Sequence, residues 1–474
     1  MALTREQAIE LGRCSGSPAY FIRTYCYIYD AVVGEWLPFE MWPMQREALR
    51  AINNSQQVVI LKARQLGITW LVLCYMLWMA LFRPINTSLV FSRRDAEAVY
   101  LLSDERLRGI FKRLPDWMIS GSEIAVANAH EIRLTTGSTI RAFPTTAGDS
   151  YTASLVIVDE ADLSPDLARL MRSVKPTVDN GGKIILLSRS NKDEPGSQFK
   201  NIYRSALRGE NGWKPVFLPW HAHPGRTREW YAEQKQDVLS RTGSLDELYE
   251  QYPATDWEAL LPKELDRRIP FSWLEQCFAE LKPLKSRLGI PGLRVYHSPI
   301  EEESYVIGAD PAEGNPTSDD SAAVVFCRET GQQMASLQGK LEPAAFASHL
   351  SSISAYYRDA PVLVERNNHG HTVIAWLKDN APGLRRVKGM DRRDGWQTSS
   401  ISKASLYDTV TLAMRESNIV LHDRNVFEQL STIDGNKLQA PGGQYDDMAM
   451  AAVLAYMAIG KSASGGGLRI QWQP

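Results

Sequence analysis

The chain has 474 residues, 44% of them hydrophobic and 23% charged, which excludes a wholly disordered or collagen-like protein and suits two domains rather than one core. Its net charge of −2, from 53 basic and 55 acidic residues, excludes a global positive field, so any nucleic-acid contact must come from local patches. Five scattered cysteines, Cys14, Cys26, Cys74, Cys277 and Cys327, lack the paired spacing of a zinc site and the even number of a disulfide framework, and point to a reducing, intracellular setting.

The N-terminus, MALTREQAIELGRCSGSPAYFI, has neither the basic start nor the continuous apolar run of a signal peptide. It reads as a short amphipathic helix and a turn, opening a helical arm over residues 1–36. PFEMWPMQREAL then supplies Phe39, Trp42, Pro43 and Gln45, a stacking surface with an amide able to read the edge of adenine. Taken singly, such residues also serve as ordinary core.

From Gln57 to Leu187 the apolar runs QVVILKA, TSLVFS, SLVIVDE and KIILLS alternate with longer helical stretches. That is the pattern of a mostly parallel sheet wrapped by helices, an α/β domain with its core over 37–214. The stretch Trp70 to Phe82 is the most apolar, but at 1.5 Å per helical residue it is too short for a bilayer of roughly 30 Å, so it is expected as a buried helix and no membrane partner is expected.

Within this domain VVILKARQLGITW is an apolar strand, a turn and a helix start, the context in which backbone N–H groups and a helix N-terminus favour an anion. A phosphate loop normally ends Gly-Lys-Ser/Thr, whereas here Gly67 is followed by Ile68 and Thr69. Lys62, at the front of the loop, is the expected substitute, its ammonium reaching back to the β and γ phosphates. Thr69 keeps the hydroxyl for Mg²⁺, and Arg64 is a candidate second charge. Downstream, SLVIVDEAD delivers Asp159 and Glu160 at a strand end; phosphoryl transfer needs one carboxylate on the Mg²⁺ shell and one to orient the attacking water, and Asp159 and Glu160 suit those roles in that order. KIILLSRSN ends in Ser188, Arg189, Ser190 and Asn191, a polar cluster that reads as a γ-phosphate sensor or as a bland loop.

After Pro215 the chain turns polar, Trp-rich and helical through LSRTGSLDELYEQYP, then reaches the Pro/Gly-marked KPLKSRLGIPGLR. Residues 215–294 read as a helical lid or linker, with a boundary near 285–300. A second α/β domain is expected over 295–460, with strands in SYVIGAD, SAAVVFC, QQMASLQGK and PVLVERN and an Ala/Met-rich helix near the end; residues 461–474 are Ser/Gly-rich at first and read as a flexible tail.

In that second domain Asp310 ends one strand, Glu365 ends another, and Asp446 and Asp447 open the last helix. Two-metal phosphodiester cleavage needs carboxylates from separate elements converging on ions about 4 Å apart. Asp447 shares a helical face with Met450, Ala451 and Leu454, whereas Asp446 also fits an N-cap, and both are kept as candidates. Asp319 and Asp320 offer a further ligand or shape a turn, and His369 and His371 reach a metal or stay solvated. Arg385, Arg386, Lys388, Arg392 and Arg393 form a basic cluster able to contact phosphates without reading sequence.

In this order the motifs resemble those of the large terminase family of tailed bacteriophages. K-A-R-Q-L-G-I-T is similar to that family's deviant phosphate loop, in which lysine stands at the front. VIVDEAD, the strand ending at Ser188 to Asn191, and YEQYPATDWEAL, like the segment closing the family's ATPase half, continue the resemblance, as does DGWQTSSISKASLYD, whose Lys403 then faces DNA. The resemblance spans about residues 38–460. The chain departs from it where many relatives carry Arg-Gly before the Asp-Glu strand: here AGDSYTAS stands, leaving an arginine finger unassigned among Arg141, Arg169 and Arg189.

The resemblance implies an N-terminal P-loop ATPase and a C-terminal ribonuclease-H-like nuclease. It implies ATP and Mg²⁺ as cofactors, with Mn²⁺ an option at the nuclease, and double-stranded DNA, the portal of the procapsid and a small terminase subunit as partners. A ring, a pentamer when packaging and a monomer when free, and a location in the host cytoplasm with transient docking on the procapsid, are implied too. Two other readings stay open at this point: a helicase-like repair or mobile-element ATPase/nuclease, and a non-enzymatic capsid or portal scaffold with a degenerate nucleotide site, the latter motivated by Ile68.

Overall fold

The computed structural model describes residues 3–461 apart from 84, 148–152, 180, 316–318 and 442–443. The chain divides between Leu261 and Pro262 into two compact units.

The first unit opens with two helices. Thr4 and Gln7 exchange a capping box at the start of Arg5–Gly16, and Ser17 caps Pro18–Tyr25. A hairpin follows, β1 (Tyr27–Asp30) against β2 (Glu35–Pro38), so the expected helical arm ends in strands. The central sheet is built from β3 (Gln57–Lys62), β4 (Thr87–Ser92), β5 (Ile124–Ala127), β6 (Glu131–Leu134), β7 (Thr139–Pro144), β8 (Leu155–Asp159), β9 (Lys183–Ser188) and β10 (Lys214–Leu218). Its order is β10-β3-β9-β8-β4-β7-β6-β5; the first six strands are mutually parallel, and β6 and β5 are added antiparallel at one edge.

The interior strands explain the apolar runs. Val58 to Leu61 and Leu155 to Val158 are wholly buried, as strands covered on both faces must be. Helix Ile68–Phe82 is apolar around most of its circumference and packs inside this unit, with the Trp78 indole donating to the Cys14 carbonyl at 2.8 Å. Among the described residues no helix is long and apolar enough to cross a membrane. In a parallel sheet ligands gather at the carboxyl ends of the strands. Here the register sets Leu61 beside Ser188 and Asp159 beside Leu187, which brings Lys62, Asp159, Glu160 and Ser188 to one edge.

The second unit holds a mixed sheet of β11 (Leu293–Val295), β12 (Tyr305–Asp310), β13 (Ser321–Cys327), β14 (Gln333–Gly339) and β15 (Val362–Val364), in the order β11-β14-β13-β12-β15. β12, β13 and β14 form an antiparallel meander and β15 lies parallel to β12. Single parallel bridges from Val362 to Arg386 and from Glu365 to Trp396 extend the sheet beyond β15. Three antiparallel strands followed by a parallel one on the far side of the first is the order expected of a ribonuclease-H-like domain.

Helix Asp447–Lys461 lies across β12 so closely that a Cβ on Gly308 would stand 2.1 Å from the Ala455 nitrogen and 2.2 Å from the Ala451 oxygen. Both are backbone atoms with no rotamer to give. Gly308→Ala is therefore expected to destabilise the protein by about 2 kcal/mol or more, at the upper end of overpacking costs. Chemical denaturation checks this, and an unchanged midpoint would show that the helix yields freely.

Two boundaries differ from expectation. Residues 215–294 form no separate lid or linker: β10 is the edge strand beside β3, and the Arg64 N–H binds the Gln251 carbonyl, so the chain to Leu261 belongs to the first unit. Beyond Pro262 it belongs to the second, with the Arg268 N–H on the Ile433 carbonyl and the Ala279 N–H on that of Leu421. The last helix runs to Lys461, and the expected tail beyond it lies outside the described residues.

Candidate functional site

In the first unit, β3 delivers Lys62 and a five-residue loop leads to the helix at Ile68. Gln65 and Gly67 take left-handed backbone conformations, φ 59° and 67°. A Cβ at Gly67 would stand 2.8 Å from the Gln45 amide nitrogen, so only glycine fits both the conformation and the space. That amide donates to the Leu66 carbonyl at 2.9 Å while its oxygen accepts the Trp42 N–H at 2.8 Å. Gln45 thus braces the back of the loop, and its carbonyl oxygen is engaged within the chain rather than turned to an adenine edge.

The Ile68 side chain is buried in the core and offers no charge to a phosphate. The side chain of Arg64 is exposed. Lys62, also buried, points its ammonium at Glu160, 3.2 Å from Oε1, and the Thr69 hydroxyl donates to Asp159 at 3.2 Å. Four of the expected nucleotide residues therefore meet at one strand edge. Burial, then the Glu160 charge, pushes Asp159 up to about 6 against the pull of Lys62 and Thr69. Burial works against ionised Glu160 as well, but the Lys62 ammonium beside it and Arg189 together hold it below the ordinary carboxylate value. Glu160 itself sits at φ 50°, a strained conformation for a side chain of this kind.

The strand ending at Ser188 to Asn191 joins this cluster. Ser188 donates to Glu160 at 3.4 Å, and the Asn191 N–H donates to Asp162 at 2.6 Å. Asp162 also accepts from Ser197 and pairs with Lys200 at 2.9 Å, both side chains fully buried. Spacing alone gave no sign of this pair, because its partners are 38 residues apart and only Asp162, the last residue of VIVDEAD, belongs to a motif. Of the arginine-finger candidates, Arg189 bonds Glu250 and Arg141 pairs with Glu131 at 3.3 Å, while the Arg169 N–H bonds Asp166 at 3.0 Å. Residues 148–152 of AGDSYTAS lie outside the described residues.

In the second unit, an open cleft of about 450 Å³ is lined by Asp310, Glu365, Asp446, Asp447, Asn367 and Lys403, among others. β12 ends at Asp310; the Glu365 N–H binds the Ala309 carbonyl at 2.8 Å, which seats Glu365 one strand away. Asp310 is pushed well above the carboxylate range, by burial first, then by a hydrogen bond with Glu365 and the charges of Glu365, Asp447 and Asp446. Asp447 rises to about 7, again by burial, with the Asp319 charge next.

The two helix-start acids differ. Asp447 is 6% exposed and accepts the Asp320 N–H at 3.2 Å, whereas Asp446 is more open and pairs with Lys403 at 3.4 Å. Asp320 bonds Lys340 at 2.9 Å. His369 borders the cleft, and His371 is exposed on the following helix. Asn367 and Asn368, which also border the cleft, were missed although they directly follow Glu365 and Arg366 in VERNNHG. Arg386 pairs with Asp394 at 3.2 Å, and Arg385, Lys388, Arg392 and Arg393 are exposed.

Among the described residues no three His, Cys, Asp or Glu groups stand at the spacing of a formed metal site. The donor set still suits a hard cation: every acidic group facing the cleft offers carboxylate oxygens, and burial makes the charges of Asp310 and Asp447 costly without a counter-charge. The fold and its two centres define a class: an α/β chain with a strand-loop-helix turn facing an Asp-Glu pair in one unit and an acidic cleft at the end of a mixed sheet in the other.

No protein-family model matches the chain, and no curated protein matches it. Among solved structures it is similar to the HK97 bacteriophage large terminase, at 13% identity and TM-score 0.43, over 94% of this chain and 99% of that one. It is similar also to the large terminase nuclease from thermophilic phage G20c with bound magnesium, at 22% identity and TM-score 0.34, over 41% and 97%. A third is the large terminase ATPase domain of Thermus phage P74-26, at 15% identity and TM-score 0.36, over 44% and 92%.

Proposed function

We propose that the chain is a large terminase: it moves viral double-stranded DNA through the portal into a procapsid at the cost of ATP, and cuts concatemeric DNA when packaging starts and ends. The observation that carries this reading is the presence in one chain of both centres, Lys62 and Thr69 against the Asp159–Glu160 pair, and the acidic cleft of Asp310, Glu365 and Asp447.

In the motor, the free N–H groups of the loop and helix start receive the phosphates, and Lys62 turns from Glu160 to the β and γ oxygens. Thr69 and Asp159 hold the Mg²⁺ shell. Glu160, released by Lys62 and still beside Arg189, orients the attacking water. In the nuclease, Asp310, Glu365 and Asp447 would hold Mg²⁺ or Mn²⁺, with Asp446 beside them; the ions supply a water of lowered pKa and neutralise charge on the scissile phosphate. Lys403 meets the DNA backbone, and the exposed basic cluster adds affinity without sequence preference. Assembly into a ring, a pentamer on the portal, partnership with a small terminase subunit, and work in the host cytoplasm belong to the same proposal.

A packaging assay with purified procapsids, portal, small subunit and DNA tests the whole. DNA should become protected from added nuclease only when ATP is present. Unwinding of free duplex without packaging would favour a repair helicase, and neither activity would favour a scaffold.

The cleft also gives a pH-dependent expectation. Asp447 is raised from 3.8 to about 7, so between those values the folded chain keeps a proton that the unfolded chain releases. Without a cation, that contribution to stability is therefore present below about pH 4 and lost as pH rises to about 7. A divalent cation replaces the proton, so Mn²⁺ at about a hundred times its Kd should stabilise by roughly 2.7 kcal/mol at pH 8 and much less at pH 5. Thermal melting at both pH values checks this; equal shifts, or a full shift in Asp447→Asn, contradict it.

A further inference from the structure

The segment after β10 turns back over the phosphate loop. The turn His223 to Arg226 is closed by the Arg226 N–H on the His223 carbonyl at 3.1 Å, and the His223 ring stands 4.6 Å from that of Trp42. The Arg226 guanidinium donates to the Arg64 carbonyl at 3.0 Å and to the Gln65 side-chain oxygen at 3.3 Å. It lies 4.9 Å from the ring centroids of both Trp230 and Tyr252. Its partners are thus two neutral oxygens and two aromatic faces; among the described residues no carboxylate pairs with it.

An arginine cannot shed its charge, so a half-buried guanidinium without an acidic partner is a site prepared for an anion. The loop beneath it needs one more cation. Its usual lysine position holds buried Ile68, and the N–H groups of Ala63 and Arg64 are taken by the carbonyls of Leu218 and Gln251. Lys62 approaches from the strand side, while Arg226 approaches from the segment that follows the sheet.

We propose that Arg226 is a phosphate-contacting residue of the nucleotide site. When a nucleoside triphosphate binds, its guanidinium exchanges the Arg64 carbonyl and the Gln65 amide for phosphate oxygens, supplying a second positive charge beside that of Lys62. This rests on the reading that the loop binds a nucleoside triphosphate. The aromatic pair fixes the side chain in reach of the loop before the ligand arrives, so little ordering remains to be done on binding.

The test compares ATP, ADP and AMP binding to the full chain and to Arg226→Gln and Arg226→Lys, followed by intrinsic tryptophan fluorescence, for which Trp230 is well placed. A charged hydrogen bond of the usual strength predicts that Arg226→Gln weakens ATP about tenfold to a hundredfold, ADP less, and AMP hardly at all. Arg226→Lys should recover part of the ATP loss, and both variants should unfold at the wild-type denaturant midpoint without nucleotide. A residue that only braces the loop would weaken the three ligands alike and lower that midpoint. Equal loss across the three ligands, or unchanged ATP affinity, overturns the role given to Arg226 alone. No ATP binding by the wild-type chain overturns the nucleotide reading together with it.

Discussion

Lys62→Ala is expected to lower ATP turnover by at least about a hundredfold while the chain stays folded. Removing one preorganised charge from a phosphoryl-transfer site costs about that much or more. The same ammonium, with Arg189, holds Glu160 below the ordinary carboxylate value in the idle site, so the substitution also removes part of the support for that charge before a nucleotide arrives. Two further substitutions sharpen the result. Lys62→Arg should keep the charge and lose the fit, giving intermediate turnover. Ile68→Lys in the Lys62→Ala background should fail to restore activity, since position 68 is 1% exposed and a charge there enters the core rather than the loop. Steady-state phosphate release measures all three. Near-normal turnover in Lys62→Ala would falsify the front-lysine assignment, and rescue by Ile68→Lys would mean that the side chain at position 68 reaches the nucleotide.

Asp310→Asn and Glu365→Gln should each reduce DNA cleavage by about a thousandfold, which is roughly 4 kcal/mol of lost transition-state stabilisation at 1.36 kcal/mol per decade. Each amide keeps the shape of the acid it replaces and removes one charged ligand, so the loss reads the electrostatic contribution with little change in packing. The two acids end neighbouring strands and share a hydrogen bond, and the effects of the double variant should fall well short of additive. Asp447→Asn should approach the same loss, and Asp446→Asn should lose less, because Asp446 is already paired with Lys403 and faces more solvent. Nicking of supercoiled plasmid in Mn²⁺, with ATP absent, gives the rates. Cleavage that persists in all four variants would leave the cleft without a catalytic role.

The legible parts of the fold were those whose pattern is local. β3, β8 and β9 were readable because a strand covered on both faces is apolar through its interior, and β12, β13 and β15 were readable for the same reason, whereas β4 and β14 carry buried polar residues among their apolar ones. β5 carries three exposed positions out of four, and β10 begins on an exposed lysine and contains a proline, so neither offers a period to follow. The unit boundary escaped because the cue used was a run of Pro and Gly, whereas the chain changes allegiance at Leu261, where backbone pairing with distant segments decides the matter.

The candidate sites divide in the same way. Acids at strand ends announce themselves, whereas the meeting of Lys62 with Glu160 depends on a strand order, β3-β9-β8, that the residues alone do not give. Gln45 was given an adenine to read because an amide beside aromatics suggests a base; the structure gives it a loop to support, a task visible only once Leu66 and Gly67 are placed beside it. Arg226 carries no motif at all and reaches the loop from more than 160 residues away.

The pairing of Lys62 with Glu160 also means that the idle site contains its own competitor. Glu160 offers the ammonium an internal carboxylate, so in the proposed motor an incoming nucleotide would have to displace a tethered rival that never diffuses away. Apparent affinity is lowered by the fraction of time the rival is seated. In the proposed cycle the same rival would recapture the lysine once the terminal phosphate departs, turning a handicap at entry into an aid to product release.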